Sequence, residues 1–317
     1  MARRNKADKW LEDLKKHVEE RDALGSDATF TDEYNGAPAF QKYVLTEEAR
    51  SWKEFLTWVS AQQGDWYYRG QRESTWSLTT SLDRAIWRYK ITKTGSSSHY
   101  LHRPTEERRL LFRFKQQAHQ FLTHLPEGDD WCSWFSLMQH YNVPTRFVDW
   151  TTSPYVGMYF ALEEEPEKKR CALWAINRNW LESKADAILE KYSAAPLPDD
   201  DRWRSEFLNK VFWTEREKGV IVAVNPLESN DRMAAQQGLF LTNLYEEARF
   251  YQVLMGMMIR PELTTQAVIK KLEVSVAHRF EFMKHLRAMN IHRSSLFPGL
   301  DGFGRYLKLD LEMKDWD

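Results

Sequence analysis

The stretch from Trp131 to Glu165, WCSWFSLMQHYNVPTRFVDWTTSPYVGMYFALEEE, decides the fold. The spacing of its apolar residues predicts a helix over about 131–141, a break, and then a short strand over 146–149. Ser153 and Pro154 predict the start of another helix, because a hydroxyl side chain caps free backbone N–H groups and proline suits the first helical position. Such junctions place polar side chains at the rim of a sheet, where ligands bind.

Two groups of polar residues lie at these junctions. They are Gln139, His140, Thr145 and Arg146 in the first, and Asp149, Trp150, Thr151, Thr152 and Ser153 in the second. A lone histidine is usually structural, but several donors close to His140 favour a site. Helix capping by Ser153 is the simpler interpretation of the second group, and it is compatible with a hydroxyl-lined pocket in which Trp150 is a stacking wall.

The composition describes a globular protein of near-neutral charge. Of the 317 residues, 42% are hydrophobic and 14% are aromatic, which is enough for a packed core. The net charge of −1 gives no support for non-specific binding to nucleic acid or membranes. The two cysteines indicate neither a disulfide framework nor a metal site, and no apolar stretch indicates a signal peptide or a membrane span. We therefore expect a cytoplasmic protein without a metal.

The flanking sequence predicts further helices and strands and no internal repeat. The elements expected before the central stretch are an amphipathic helix over 5–24, a helix starting at Thr46, a strand within 65–71, a surface loop over 88–104 and a long helix over 105–125. Those expected after it are buried strands at 171–176 and 219–224, a helix over 180–192, a linker-like loop over 193–201, a strand after Gly238, an edge strand at 272–276 and a helix over 277–289. This order predicts one α+β domain over 46–305, with an N-terminal helical extension over 1–45 and a tail over 306–317.

Arg69 is a candidate ligand-binding residue near the end of the 65–71 strand. Gly70 lets a ligand or another backbone come close, and the guanidinium of Arg69 suits a phosphate or a carboxylate. A structural pair between Arg69 and either Asp149 or Asp83 explains the pattern at least as well. The chain contains no GxGxxG sequence, P-loop or serine triad.

Four ordered motifs resemble the FRG-domain family, which is named for its Phe/Tyr-Arg-Gly sequence. They span roughly 50–305 and are Tyr68-Arg69-Gly70-Gln71, the stretch 139–161, Arg232 with Gln236 or Gln237, Gly238 and Phe240, and the turn 296–302. Members commonly have Gly where Asn142 stands here, and Asn tolerates the left-handed conformation that Gly would adopt. They also commonly have Leu-Leu where Phe147-Val148 stand.

The motif order is also similar to that of ADP-ribosyltransferases of the Arg–Ser/Thr–Glu kind. This resemblance implies a single mixed-sheet domain of the ADP-ribosyltransferase-like type. Arg69 would lie on one strand, and the hydroxyl-bearing residues 151–153 would lie on another. Gln236-Gln237 stands where a Glu usually precedes a later strand. Asp149 and Glu246 are carboxylates that could take the place of the missing Glu.

The resemblance further implies an NAD-dependent toxin that modifies a macromolecule, RNA before DNA or protein, in antiphage defence and under control of an antitoxin protein. The implied catalytic residues are Arg69, His140, Thr152 and Gln237. The residues implied in binding NAD are Arg69, Gly70, Gln71, Tyr141, Thr145, Arg146, Trp150, Thr151, Ser153 and Tyr159. The alternative is a non-enzymatic nucleic-acid-binding or sensor module, whose arginines grip phosphates while aromatic residues stack on bases. A nuclease or other hydrolase ranks last, because the sequence contains no recognisable acidic metal cluster.

Overall fold

The computed structural model describes residues 44–92, 102–167, 169–190, 208–209, 212, 219–225, 231–245, 248–258 and 267–312. The helix predicted over 5–24, most of the N-terminal extension, the loop over 193–201 and Glu246 lie outside these residues. Within the described part, the chain forms one seven-stranded mixed sheet with helices on both faces. The α+β class with a single mixed sheet is therefore confirmed, and its ADP-ribosyltransferase-like type stays a prediction.

The strands lie side by side in an order that differs from their order in the chain. In chain order they are β1 (Leu45–Ala49), β2 (Trp66–Gln71), β3 (Val148–Thr151), β4 (Arg170–Asn177), β5 (Ile221–Val224), β6 (Gly238–Asn243) and β7 (Ile269–Ser275). Across the sheet the order is β1-β7-β4-β2-β3-β6-β5, which places β2 at the centre. The β1–β7 pair is parallel, and the other pairs in the described sheet are antiparallel.

The helices pack on the two faces of this sheet and at its rim. They are α1 (Trp52–Ser60), α2 (Ser81–Thr92), α3 (Arg103–Ala118), α4 (Trp131–His140), α5 (Pro154–Leu162), α6 (Arg178–Leu189), α7 (Asp231–Ala235), α8 (Phe250–Met258), α9 (Arg279–Ala288), α10 (Arg293–Leu296) and α11 (Leu300–Glu312). A short 3-10 helix, Val276–His278, precedes α9. The helix α11 runs through residue 306, where the sequence predicts the start of a tail.

The alternation of side chains along β4 shows why both faces are covered. Trp174 and Ile176 point into one apolar cluster, which α3, α4, α6 and α8 complete, while Leu173 and Ala175 point into the other, which α1, α5 and α9 complete. Successive side chains of a strand point to opposite faces, so a strand buried on both faces is a continuous apolar run. That is the run from which the sequence predicts a buried strand at 171–176.

Four predicted elements differ from the structure. The loop predicted over 88–104 is shorter, because residues 88–92 belong to the helix α2 and the helix α3 begins at Arg103. Residues 45–49 form the strand β1 rather than the start of a helix, and the helix α1 begins at Trp52, where the side chain of Ser51 caps it. The strand β7 is not an edge strand, because β1 pairs with its outer side. The long helix α3 ends at Ala118, well before the predicted end at 125. The central stretch agrees closely: α4 ends at His140, and Ser153 caps α5 with Pro154 at its start.

Candidate functional site

A small cavity lies at the rim of the sheet, between β3, the start of β6, α4 and α7. Antiparallel pairing places Asp149 opposite Phe240 and Trp150 opposite Leu239, so residues far apart in the chain share one wall. The enclosed volume is about 40 Å³, which holds a few water-sized atoms, so a larger ligand must extend from the mouth. The lining residues are Ser136, Gln139, His140, Asp149, Trp150, Arg232, Met233, Gln236, Gly238, Leu239 and Phe240.

The carboxylate of Asp149 lies at this cavity in a fixed orientation, although its side chain is 60% exposed. Its Oδ2 accepts a hydrogen bond from Gln139 Nε2 at 3.1 Å. The other end of that amide, Oε1, accepts one from the Oγ1 of Thr145 at 2.6 Å. Thr145 is fully buried, so it acts on the site through Gln139 and has no surface to offer a ligand.

Arg69 holds the same aspartate from the other side. Its Nη1 donates to the backbone carbonyl of Asp149 at 2.6 Å and lies 3.7 Å from the carboxylate Oδ2. The sequence leaves two structural partners open for Arg69, and the structure pairs it with Asp149. The other candidate, Asp83, pairs with Arg103 at 2.7 Å. Burial lowers the pKa of the Arg69 guanidinium to about 10, with the neighbouring Asp149 opposing the shift, so Arg69 is charged at neutral pH. Its buried Nε has no acceptor among the described residues.

Arg232 lines the cavity with a guanidinium that stacks on an aromatic ring. Its central carbon lies 4.4 Å from the ring centroid of Phe297, and the guanidinium of Arg293 stacks on the same ring at 3.5 Å. Arg293 is paired with Glu163 at 2.5 Å. In the part of the chain that the structure describes, the Arg232 guanidinium makes no hydrogen bond or ion pair. Burial lowers the pKa of Arg232, and Arg293 lowers it further while Asp149 opposes the shift.

Two ring systems complete the cavity wall. Burial lowers the pKa of His140 below its usual value of 6.5, and the nearby charge of Arg232 lowers it further, so the imidazole is neutral at neutral pH. Trp150 is 3% exposed, and its Nε1 has no acceptor within the described ranges. Buried donors in native proteins almost always have a partner. The unclaimed Nε1 of Trp150 therefore indicates a place for a hydrogen-bond acceptor, and the guanidinium of Arg232 offers further donors at the same cavity.

Thr152 and Gln237, two of the predicted catalytic residues, meet beside the cavity. The backbone N–H of Thr152 donates to the carbonyl of Gln237 at 3.1 Å, and both side chains are exposed. Gln237 has a φ of 46°, which turns the chain sharply between α7 and β6. The residues on either side of Gln237, namely Gln236 and Gly238, line the cavity. The two side chains therefore lie at its rim, where they can reach a ligand that extends from it.

The other two hydroxyl-bearing residues, Thr151 and Ser153, form hydrogen bonds with backbone groups. Thr151 is buried, and its Oγ1 donates to the carbonyl of Gln236 at 2.7 Å while it accepts from the N–H of Ser153 at 3.1 Å. Ser153 Oγ accepts from the N–H of Val156 at 3.3 Å, which is the capping that the sequence predicts. These contacts fix the turn before β6 against the end of β3 and so hold the cavity wall in place.

Three predicted NAD-binding residues lie in the interior instead. Arg146 is 3% exposed and forms a double hydrogen bond with the buried carboxylate of Glu107, with Nε 2.7 Å from Oε2. Gln71 accepts from Trp174 Nε1 at 2.7 Å and donates to a backbone carbonyl at 3.1 Å. Tyr159 is fully buried with its hydroxyl 3.3 Å from Glu163, and burial raises its pKa. These side chains fasten secondary structure elements together.

Gly70 and Tyr141 lie in opposite environments. A Cβ on Gly70 would overlap the carbonyl oxygen of Gly157 and lie 2.5 Å from the nitrogen of Ala161, so Gly70 admits the backbone of α5 rather than a ligand. Tyr141 is 49% exposed, and its ring centroid lies 5.0 Å from that of His140. Of these two, Tyr141 is the one that can contact a ligand near the cavity.

Several residues at the site had no ligand role in the sequence prediction. They are Gln139, which orients Asp149, and the group formed by Arg232, Arg293, Phe297 and Glu163. Arg232 and the 296–302 turn both belong to motifs of the resemblance. The signal was thus present in the sequence, but the contact between the two motifs is visible only in the fold.

The model of the FRG domain family matches residues 64–170. The chain is therefore similar to an FRG domain over these residues. The matched segment includes Arg69, α4 and Asp149, whereas Arg232 and Phe297 lie beyond it, so the candidate site also uses residues C-terminal to the match. No curated protein and no solved structure matches the chain.

Two properties of the described residues bear on the kind of site. Among the described helices, none has both the length and the apolar character needed to cross a membrane. The same residues contain no group of three or more His, Cys, Asp or Glu side chains that could hold a metal ion.

Proposed function

We propose that this protein is an NAD-dependent ADP-ribosyltransferase that modifies a macromolecule. The observation that carries the proposal is the guanidinium of Arg232, which lines the cavity, is held on the ring of Phe297, and has no acceptor among the described residues. A planar guanidinium presents several donors in a fixed fork that matches the oxygens of a phosphate. A pyrophosphate at Arg232 would claim the guanidinium donors that the described residues leave unpaired.

The charges of the site fit such a ligand. The guanidinium groups of Arg69, Arg232 and Arg293 outnumber the carboxylates of Asp149 and Glu163 among the groups that interact there. Because burial weakens solvent screening, this excess of positive charge attracts an anion more strongly than it would at the surface. The enclosed volume is too small for a dinucleotide, so only one end of NAD would enter it while the remainder lies across the rim at Thr152 and Gln237.

NAD supplies an ADP-ribosyl group on nicotinamide, which leaves with the electron pair of its bond to the ribose. Positive charge develops on the sugar as that bond breaks, and the oriented carboxylate of Asp149 is the negative group at the cavity that stabilises it. Gln139 and Arg69 keep that carboxylate in place. A ring nitrogen of His140, neutral at neutral pH, accepts the proton that the attacking hydroxyl or amine of the acceptor loses.

The acceptor in this proposal is RNA first, with DNA or protein as the other classes, and the setting is an antiphage toxin held in check by an antitoxin protein. A growth assay tests the setting. Expression of the wild-type chain without a partner should arrest bacterial growth, and Arg69→Ala should abolish the arrest at the same level of protein. Arrest by the inactive variant would separate toxicity from the transfer chemistry.

The transfer itself is tested with NAD that carries a label on its adenylate group, incubated with the protein and with separate RNA, DNA and protein fractions. We expect label on one fraction together with release of nicotinamide, and a loss of about 10- to 100-fold in Arg232→Gln. Arg287→Gln is the matched control, because Arg287 also stacks on an aromatic ring, that of Tyr306 at 5.5 Å, away from the cavity lining.

The outcomes of this assay decide between the proposals. Wild-type protein that releases no nicotinamide and labels no fraction contradicts the transferase. If that same protein binds nucleic acid without NAD, the non-enzymatic binding module is the better description. Equal activity of the wild type and Arg232→Gln would remove Arg232 from the phosphate contact, whatever the reaction.

A further inference from the structure

The outer face of α3 carries exposed basic and aromatic side chains at a distance from the cavity lining. Arg108, Arg109 and Arg113 are exposed, and between them Phe112 leaves 63% of its surface in water. Arg109 is paired with Glu106 at 2.6 Å, the acidic neighbour on this face. A single exposed phenylalanine is common on protein surfaces, so it is the groove beside Phe112 that distinguishes this face.

A groove runs beside this face. Its walls are Leu111, Phe112 and Trp131, and its rim is formed by Arg108, Lys115 and Gln116. The volume of about 740 Å³ lies within the range of pockets that accommodate a small organic molecule. An apolar, aromatic floor under a cationic rim suits a flat apolar ring that is attached to an anion.

The groove is connected to the cavity by the helix α4. This helix of 10 residues begins at Trp131 in the groove and ends at His140 in the cavity, which corresponds to about 14 Å at about 1.5 Å per residue. Phe114 of α3 lies 6.4 Å from Tyr141, whose half-exposed ring lies 5.0 Å from His140. Ring contacts thus extend from α3 to the cavity.

We infer that a single-stranded polynucleotide docks along α3, with its phosphates on Arg108 and Arg113 and its bases stacked on Phe112 and Trp131. Base–aromatic stacking and contacts between phosphates and basic side chains are the two interactions that bind single strands without strong sequence preference. On the basis of the proposed transfer function, the bound strand is the acceptor, and its next nucleotides reach His140 past Tyr141.

Charge complementarity fixes the direction in which the phosphates lie. The loop Glu127-Gly128-Asp129-Asp130 is acidic and approaches the other end of the groove, where Lys115 donates to the carbonyl of Gly128 at 2.5 Å. Phosphates therefore follow Arg108 and Arg113, and the neutral bases enter the groove. An acidic protein partner would gain the same ion pairs, but every nucleotide of a single strand carries both an anion and a ring, which makes the polynucleotide the favoured occupant.

The test measures the anisotropy of a fluorescein-labelled single-stranded RNA of about 20 nucleotides, without NAD. The Phe112→Ala/Arg113→Ala variant should bind at least about tenfold more weakly and with a smaller dependence on salt. The control is Phe303→Ala/Arg305→Ala on α11, a matched exposed pair with 46% of Phe303 and 65% of the Arg305 side chain in solvent. It should bind within about twofold of the wild type. Equal melting temperatures exclude unfolding.

Single-stranded DNA of the same length is the second arm, and duplex RNA is the third. Comparable binding of both single strands and weaker binding of the duplex support stacking on α3, because paired bases are not available to the groove. Binding that Phe112→Ala/Arg113→Ala does not weaken overturns the inference, as does a wild-type protein that binds none of the polynucleotides. Polynucleotide binding without transfer of ADP-ribose would contradict only the proposed transferase activity. Transfer at the wild-type level by Phe112→Ala/Arg113→Ala would contradict only the docking of the acceptor on α3.

Discussion

Two arginines that the family resemblance implies in NAD binding have different environments. Both lie close to β3. Arg146, just before the strand, is 3% exposed and its guanidinium is held by the buried carboxylate of Glu107. Arg69, at the end of β2, holds a carboxylate that is 60% exposed and keeps a buried Nε without an acceptor in the described ranges. The difference shows that an exposed carboxylate at a cavity, rather than an arginine in a motif, indicates where a ligand can reach.

The largest expected effect is on the interior side of this comparison. Glu107→Ala leaves Arg146 as a buried charge without its partner, which should lower the free energy of unfolding by about 3–5 kcal/mol. Urea unfolding followed by circular dichroism measures the change. Glu106→Ala is the control on the same helix, because Glu106 pairs with the half-exposed Arg109 and should cost about 1 kcal/mol or less. Similar values for the two variants would remove the distinction between the interior pair and a surface pair.

The second prediction concerns the rim. Asp149→Asn keeps the shape of an exposed side chain, so the free energy of unfolding should change by less than about 1 kcal/mol. The loss of its negative charge should lower the rate of nicotinamide release by about 10²- to 10³-fold, since the carboxylate faces the charge that develops on the ribose. Rate and stability are measured on the same preparation. A stable variant with wild-type rate would exclude Asp149 from the chemistry and leave it a partner of Arg69.

The third prediction tests whether Gly70 belongs with the interior or with the site. Gly70→Ala would press against the backbone of α5, so it should cost about 3 kcal/mol, the upper end of the range for overpacking, because neither backbone atom can rotate away. Gly256→Ala is the matched control within α8, where an added Cβ meets nothing within 4 Å and should stabilise the helix by about 1 kcal/mol. A Gly70→Ala protein of wild-type stability with impaired NAD binding would restore the ligand role.

Sequence patterns predict the central elements well because their signals are local. The cap at Ser153, proline at the first turn of α5 and the apolar run of β4 each need only neighbouring residues. The strand β1 fails for the opposite reason. Its sequence, LTEEA, has little β propensity, and its strand conformation depends on parallel pairing with β7, more than 200 residues away. Once β1 is missed, β7 is mistaken for an edge strand.

The candidate site follows the same division. The sequence correctly places polar residues of α4 and β3 at one rim, because a single short loop joins the two elements. Arg232 comes to that rim only through the pairing of β6 with β3, and Phe297 only through the packing of the C-terminal turn. Neither the partner of Arg146 nor the unclaimed donors of Arg232 can be read from spacing, since both depend on contacts across more than 35 residues.

The smallest expected effect is a shift in pH dependence at His140, whose pKa responds to the charge of Arg232 in the cavity lining. Burial and the charge of Arg232 both lower the pKa of His140 below 6.5, so the neutral form persists to lower pH. As a base, His140 works only when neutral. The rate should therefore rise with pH through this lowered pKa and reach its plateau at a lower pH than an unperturbed histidine would give. Stability should fall on acidification from about pH 6.5 through the lowered pKa, because the unfolded chain binds the proton more readily.

Arg232→Gln sharpens this last test by removing one of the two causes of the shift. Without the neighbouring positive charge, the pKa of His140 should move up toward 6.5, and the acid limb of the kcat/KM profile should move up with it. Arg287→Gln, which removes a guanidinium away from the cavity lining, should leave the limb in place. An acid limb that persists unchanged in His140→Asn would assign it to another group. A limb that moves down in Arg232→Gln would contradict the electrostatic coupling between Arg232 and His140, on which the proposed base depends.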